Sequence, residues 1–363
     1  MTKNAYIHIP FCKSKCNYCS FVSFPELQLK AQYIDSLISQ IKAEYKGERL
    51  NTLYFGGGTP SVLLANEFKS LIELFNFEND AEITTEVNPD SVDLSYLQAL
   101  RALGINRISI GSQSFDDKIL KLIGRRHDSE QIKLTVEMAK KAGFKNISLD
   151  FIYGLPTQTL EGFEQDLKTA VSLGIQHVSL YGLKIEEGCY FYSNEPSLLA
   201  DSDLQADMYL KAIEVLAKAG FEHYEISNFS LAGFNSRHNL NYWQNNSYYG
   251  FGCSASGYVD GIRYTNESEL PEYIKNPLKK ISEEKLSTQE ILEEAIFLGF
   301  RKLSGINVDE INQKFGIDFN KKYSEILDKY VKTEHLIKTE NGYALSISGL
   351  LLSNDILSEF IGI

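Results

Sequence analysis

With 363 residues, 43% apolar and 23% charged, the chain is long enough to bury one large α/β core plus a smaller module, with the composition of a soluble globular protein. Its formal net charge of −12 argues against broad electrostatic attachment to nucleic acid, whose phosphates favour basic faces. No run approaches the ~18–20 apolar residues of a membrane span, and Lys3 is followed by no apolar signal core, so a cytoplasmic chain is expected.

Seven β-rich runs follow in order: 5–9 (AYIHI), 52–55 (TLYF), 82–87 (EITTEV), 107–111 (RISIG), 147–154 (ISLDFIYG), 177–182 (HVSLYG) and 223–229 (HYEISNF). Between them, 29–45, 61–75, 92–103, 129–142, 159–173 and 203–219 carry apolar residues at helical spacing. In 203–219, Leu204, Met208, Ala212, Val215 and Leu216 form one stripe, and Gly143 and Gly220 stand just past two of the helices as C′ caps do. Strand–helix alternation with short connections predicts a parallel sheet covered by helices. Six or seven such units over residues 1–230 make a partial (β/α)6-type barrel of the TIM class, with its chemistry at the C-terminal ends of the strands. That rim gathers GGGTP (56–60), EVNP (86–89), GSQS (111–114), DFIYGLP (150–156) and SNF (227–229).

After residue 230 the alternation stops. The stretch 236–261, rich in Gly, Asn and Tyr, reads as ordered loops and strands over the rim, within a connecting segment 231–284. Residues 287–303 read as a helix, and Asn341-Gly342 lies between two β-like runs, a strong hairpin signal. Residues 285–363 are therefore expected to form a small winged-helix-like α+β domain, a lid or docking module given the acidic totals.

Three of the five cysteines, Cys12, Cys16 and Cys19, fall within eight positions directly after the first strand. A C-x3-C-x2-C triplet is one ligand short of a structural zinc site, and Cys189 and Cys253 are remote in sequence. Three close thiolates suit a [4Fe–4S] cubane with one iron left open to a substrate, and fit a reducing compartment.

This spacing is the signature of the radical S-adenosylmethionine (SAM) superfamily, which the sequence resembles. The resemblance implies that SAM chelates the open iron through its amino and carboxylate groups, and that one electron from the cluster cleaves a C–S bond to give a 5′-deoxyadenosyl radical. It also implies a set of SAM-binding residues on the rim. Gly57, Gly58 and Thr59 would let backbone approach the methionine amino group. Glu86 would take the ribose hydroxyls, while Gln113, Arg125 and Asp150 would hold ribose, carboxylate or adenosine, with Tyr6 against the SAM. Arg125 is favoured over Arg126, which is expected to be solvated. His8 is expected to pack under the cluster loop, because the cysteines already supply the ligand set.

YIHIPFC, GGGTP, GSQSF and DFIYGLP, in that order, resemble the coproporphyrinogen dehydrogenase family over essentially the whole chain, including its C-terminal domain. Two branches differ at readable positions. The oxygen-independent coproporphyrinogen III dehydrogenases carry a fourth cysteine two residues after the third, where this chain has Phe21. They also carry an N-terminal extension, whereas five residues precede Tyr6 here. The HemW-type haem chaperones keep C-x3-C-x2-C-x-F and add HNxxYW, present as His238, Asn239, Tyr242 and Trp243, the last being the single Trp. An imidazole can ligate haem iron, and Tyr and Trp offer flat faces and polar edges to a porphyrin. The resemblance therefore implies haem contact at these four residues, with Cys189 and Cys253 better suited to burial than to ligation. The expected protein is a haem chaperone that binds [4Fe–4S], SAM and haem and delivers haem to respiratory proteins. It would be a homodimer, reaching membranes only through partners, with no residue singled out as catalytic. Two rivals stand beside it: the porphyrinogen dehydrogenase, and a radical SAM enzyme acting on another small molecule with HNxxYW as packing.

Overall fold

Alternation along the strands decides the architecture. In a computed structural model describing residues 2–362, Ala5, Ile7 and Ile9 of β1 (Asn4–Ile9) are fully buried, and join Tyr33, Leu37, Ile41 and Phe68 of the covering helices in one core. The intervening Asn4, Tyr6 and His8 belong to the other face of the strand. The same period-2 pattern runs through β2 (Arg49–Gly57), β3 (Asn76–Val87), β4 (Arg107–Gln113), β5 (Asn146–Tyr153) and β6 (His177–Gly182). Ile108 and Ile110 face the helices while Arg107 and Ser109 do not, and Ile147, Leu149 and Phe151 alternate with Ser148 and Asp150. Fully covered parallel strands usually read as near-continuous apolar runs. Here one face is polar because it lines a lumen.

The six strands pair in parallel in chain order. The seventh expected strand is two. β7 (Glu222–Glu225) and β8 (Asn228–Ser230) form an antiparallel hairpin, and β8 runs antiparallel to β6. The break has a hydrogen-bonding cause: the Ile226 amide donates to the Arg301 carbonyl, and the Ser227 amide turns back onto the Glu225 carboxylate. On the far side β9 (Tyr249–Phe251) adds in parallel to β1, so the sheet stays open between β7 and β9.

The segment after residue 230 also departs from expectation. HNLNYW is not loop or strand over the rim but part of a helix, Arg237–Trp243. Ser236 caps it by accepting the Asn239 amide, and the Glu82 carboxylate accepts the amides of Arg237 and His238. Glu82 is level with Thr52 and Asn4, so this helix lies at the N-terminal ends of the strands, opposite the rim. β10 (Ser256–Val259), β11 (Ile262–Asn266) and β12 (Lys280–Lys285) form a separate antiparallel sheet.

The C-terminal part has the winged-helix pattern. Helices Thr288–Gly299, Val308–Phe315 and Ser324–Lys332 pack on a three-stranded sheet of β13 (Ile306–Asn307), β14 (Leu336–Lys338) and β15 (Gly342–Leu345), with the Asn341-Gly342 turn between the last two. It has its own core, centred on Phe300, Phe319, Tyr323 and Phe360, which Tyr209 of the barrel helix Ser202–Lys218 joins. Among the described residues no helix is long and apolar enough to cross a membrane.

Candidate functional site

β1 runs at Ile9 into the loop that carries the cysteines. Two backbone hydrogen bonds pinch its neck: Phe24 N to the Pro10 carbonyl at 2.7 Å, and Cys12 N to the Phe24 carbonyl at 3.1 Å. Neighbouring loops hold it from outside, through Asn17 N to the Ile123 carbonyl at 3.0 Å and Phe191 N to the Asn17 carbonyl at 2.9 Å. Cys12, Cys16 and Cys19 are half-buried free thiols. Burial pushes the Cys12 thiol up and that of Cys19 to about 11, so thiolates here need a cation beside them. Among the described residues no three His, Cys, Asp or Glu side chains converge on one metal ion. A cubane spreads three thiolates over three irons, so the donor set fits a cluster rather than a lone ion.

The cysteines open onto a cavity of about 490 Å³ that descends along the polar face of the sheet. Gly57, Gly58, Thr59, Glu86, Gln113, Arg125 and Asp150 all line it. Thr59 Oγ1 is 3.4 Å from Cys12 Sγ and accepts Asn88 Nδ2 at 3.0 Å. Arg125 Nη2 donates to Asn88 Oδ1 and the Gly111 carbonyl, both at 2.7 Å, while Nη1 lies 3.5 Å from Cys16 Sγ. Arg126 turns outward to Asp90. At Gly57, φ is +113° and a Cβ would sit 2.6 Å from the His8 ring. Only glycine therefore fits between this imidazole and the cavity, and its backbone remains on the cavity wall. His8 does pack under the loop, Nε2 to the Val22 carbonyl and Nδ1 to the Tyr6 hydroxyl, both at 3.0 Å.

Deeper in the lumen two carboxylates face one another. Glu86 accepts the Tyr54 hydroxyl at 2.9 Å and is pushed up to about 8, first by burial and then by Asp150. Asp150 is also raised by burial, opposed by hydroxyls that include Ser109 at 2.8 Å and by Arg107. Arg107 is 1% exposed, and its guanidinium adds positive charge to the deep part of the lumen. Gln113 is aimed by a register irregularity between β4 and β5 that puts it at φ 66°. Tyr6 is not on the cavity wall: it lies behind Tyr54, ring centroids 6.1 Å apart, with its hydroxyl on His8. Sequence reasoning passed over Tyr54, Arg107, Ser109 and Ser179, all of which line the cavity. The signal for Arg107 and Ser109 was the period-2 polarity of RISIG.

The HNxxYW residues divide. Asn239 lines the cavity; His238, Tyr242 and Trp243 do not. His238 is 1% exposed, with Nδ1 2.7 Å from Thr52 Oγ1, Nε2 2.8 Å from the Tyr242 hydroxyl, and its ring stacked on Tyr54 at 5.1 Å. Burial first, then Arg107, pulls its pKa down to about 3, so the imidazole is neutral. Trp243 lies under the Arg301 guanidinium, 5.6 Å from the ring centroid, facing the C-terminal module.

A parallel, polar-lumened partial barrel with three cysteines after its first strand and a glycine turn after its second defines a radical SAM protein. Residues 6–170 match the model of the Radical SAM superfamily, and residues 286–352 that of the HemN C-terminal domain. That family implies a [4Fe–4S] cluster and SAM. The chain is 39% identical to heme chaperone HemW of Lactococcus lactis over 99% of this chain and 97% of that protein. It is 35% identical to heme chaperone HemW of Bacillus subtilis over 99% of each. It belongs to the HemW heme chaperone family. Its fold matches that of coproporphyrinogen III oxidase (HemN) from Escherichia coli with a TM-score of 0.88 at 24% identity, covering 99% of this chain and 90% of that one.

Proposed function

We propose that this protein is a cytoplasmic haem chaperone that holds a [4Fe–4S] cluster on Cys12, Cys16 and Cys19, binds SAM in the adjoining cavity, and passes haem to respiratory haemoproteins. Its relationship to proteins named heme chaperone HemW, over nearly the full length of both chains, carries the reading. The site supports it. Phe21, at the position where the dehydrogenases carry a further cysteine, is 68% exposed and lies at the cavity mouth, an aromatic face open to a flat apolar ligand. Held by Cys12, Cys16 and Cys19 and reduced, such a cluster would supply the electron for reductive cleavage of SAM. In the cavity, Thr59 and the Gly57–Gly58 backbone hold the amino-acid end of SAM near the cysteines, Arg125 neutralises its carboxylate, and Glu86, Gln113 and Asp150 take the nucleoside. Of the HNxxYW residues, Asn239 already faces the cavity. Haem contact at His238, Tyr242 and Trp243 entails the helix Arg237–Trp243 moving out of the barrel floor. A homodimer is the assembly that the family resemblance suggests for it.

The test is anaerobic reconstitution followed by iron, sulfide and haem quantification, and incubation with SAM, reductant and coproporphyrinogen III. A Soret band on haem titration without protoporphyrinogen formation is expected. Appreciable protoporphyrinogen would replace this reading with the dehydrogenase.

A further inference from the structure

His238 reaches towards the cavity without touching it. Both ring nitrogens are engaged within the protein, by Thr52 and Tyr242, and its backbone amide is fixed by Glu82. What remains free is a ring face, and that face lies on Tyr54 at 5.1 Å with 27° between the planes. Tyr6 closes the group, 6.1 Å from Tyr54 and 6.5 Å from His238. The Tyr54 hydroxyl then donates to Glu86 Oε1 at 2.9 Å. The group has no slack, since a Cβ at Gly56 would come within 3.0 Å of Glu86 Oε1, Tyr54 and Tyr6 at once. A carboxylate facing Asp150 across a lumen keeps its direction only if donors hold it, and Glu86 is held by the Tyr54 hydroxyl beside the Gly57 backbone amide.

We infer that His238 is a positioning residue for SAM: through Tyr54 it fixes the Glu86 carboxylate, whether or not haem is bound. This rests on Glu86 as a SAM-binding residue but not on haem binding. The choice of residue fits the role. A Phe at this position would stack on Tyr54 yet leave Thr52 and Tyr242 without their partner, whereas a neutral imidazole satisfies both and locks the ring plane.

The experiment measures SAM affinity by equilibrium dialysis on haem-free, cluster-loaded protein. Tyr54→Phe removes one hydroxyl and keeps the ring. It is expected to weaken SAM roughly tenfold, the upper end for one lost hydrogen bond. His238→Leu is expected to cost a similar factor alone, and less than about twofold on top of Tyr54→Phe, because both act on one carboxylate. His238→Gln, which keeps polar atoms for Thr52 or Tyr242, is expected to recover part of the loss. Unchanged SAM affinity in Tyr54→Phe, or a full tenfold further loss in the double variant, overturns the inference. Should His238→Leu fail to retain its cluster, Thr52→Val, which removes a single partner of the ring, takes its place with an expected loss of about threefold; no loss there overturns it equally. Glu86→Gln separates the two layers. If SAM affinity is unchanged in that variant, the assignment of Glu86 fails; if it falls there but not in the His238 and Tyr54 variants, only the positioning role fails. A parallel haem titration reports on the chaperone reading independently.

Discussion

Glu86 and Asp150 come from strands two apart in the sheet, and neither can ionise without opposing the other. Glu86, pushed up to about 8, is largely protonated at neutral pH in the ligand-free protein. Ribose hydroxyls donate best to the ionised carboxylate, so SAM should bind more tightly as pH rises through about 8. The expected gain is roughly tenfold between pH 7 and 9, and absent in Glu86→Gln; a flat profile in the unsubstituted protein would remove Glu86 from the ribose contact. At the cluster, replacing any one of Cys12, Cys16 or Cys19 by Ser is expected to abolish the iron–sulfur absorbance after reconstitution. Cys253→Ser should leave iron content unchanged, because Cys253 is buried against the Ser268 carbonyl, away from the cavity. Residues of this kind were unevenly legible. The cysteine spacing, the glycine turn and the inward Arg125 could be read because each follows from a short run of sequence. Tyr54 and Arg107 could not be weighed until strand register fixed which side of the sheet they faced. For Tyr6 the same geometry interposed another ring between it and the cavity.

The helix Arg237–Trp243 shows the same limit one level up. Seven residues with His and two Asn among them carry no apolar period, and so short a helix has little stability of its own. Tertiary partners make it, chiefly the Ser236 cap and the Glu82 carboxylate at its first amides. Ser236→Ala is accordingly expected to lower the unfolding free energy by about 1 kcal/mol, read by urea titration. The split of HYEISNF into two strands likewise depends on distant partners, since Arg301 lies 75 positions beyond the Ile226 amide it accepts. The six parallel strands and their helices were legible because local periodicity and burial agree along each of them.

At the scale of the molecule, the barrel floor and the C-terminal module share one helix. His238 at its start belongs to the lumen, while Trp243 at its end meets Arg301, which also covers Phe297 at 4.7 Å. Tyr209 adds a second seam, its hydroxyl donating to the Ile226 carbonyl at 2.8 Å while its ring packs in the C-terminal core. Arg301→Ala removes the cation over two rings, a contact of about 1–2 kcal/mol when largely desolvated. Faster limited proteolysis between residues 276 and 290, with the barrel fragment surviving, is the expected result; an unchanged digestion pattern would assign the docking to Tyr209 and its neighbours instead.

The pinched neck of the cysteine loop has a consequence for repair. Oxygen strips iron from exposed clusters, and a socket that collapsed afterwards would have to be refolded before each reload. Here the Pro10–Phe24 and Cys12–Phe24 backbone pairs close the neck through hydrogen bonds that use no thiolate, and Asn17 anchors the middle of the loop to two neighbours. Loss of the proposed cluster is therefore expected to empty the socket and leave its walls standing. Hydrogen exchange at the Cys12 and Phe24 amides should be equally slow before and after cluster loss, and a protein bleached in air should regain its colour with iron and sulfide at native temperature, with no denaturant step.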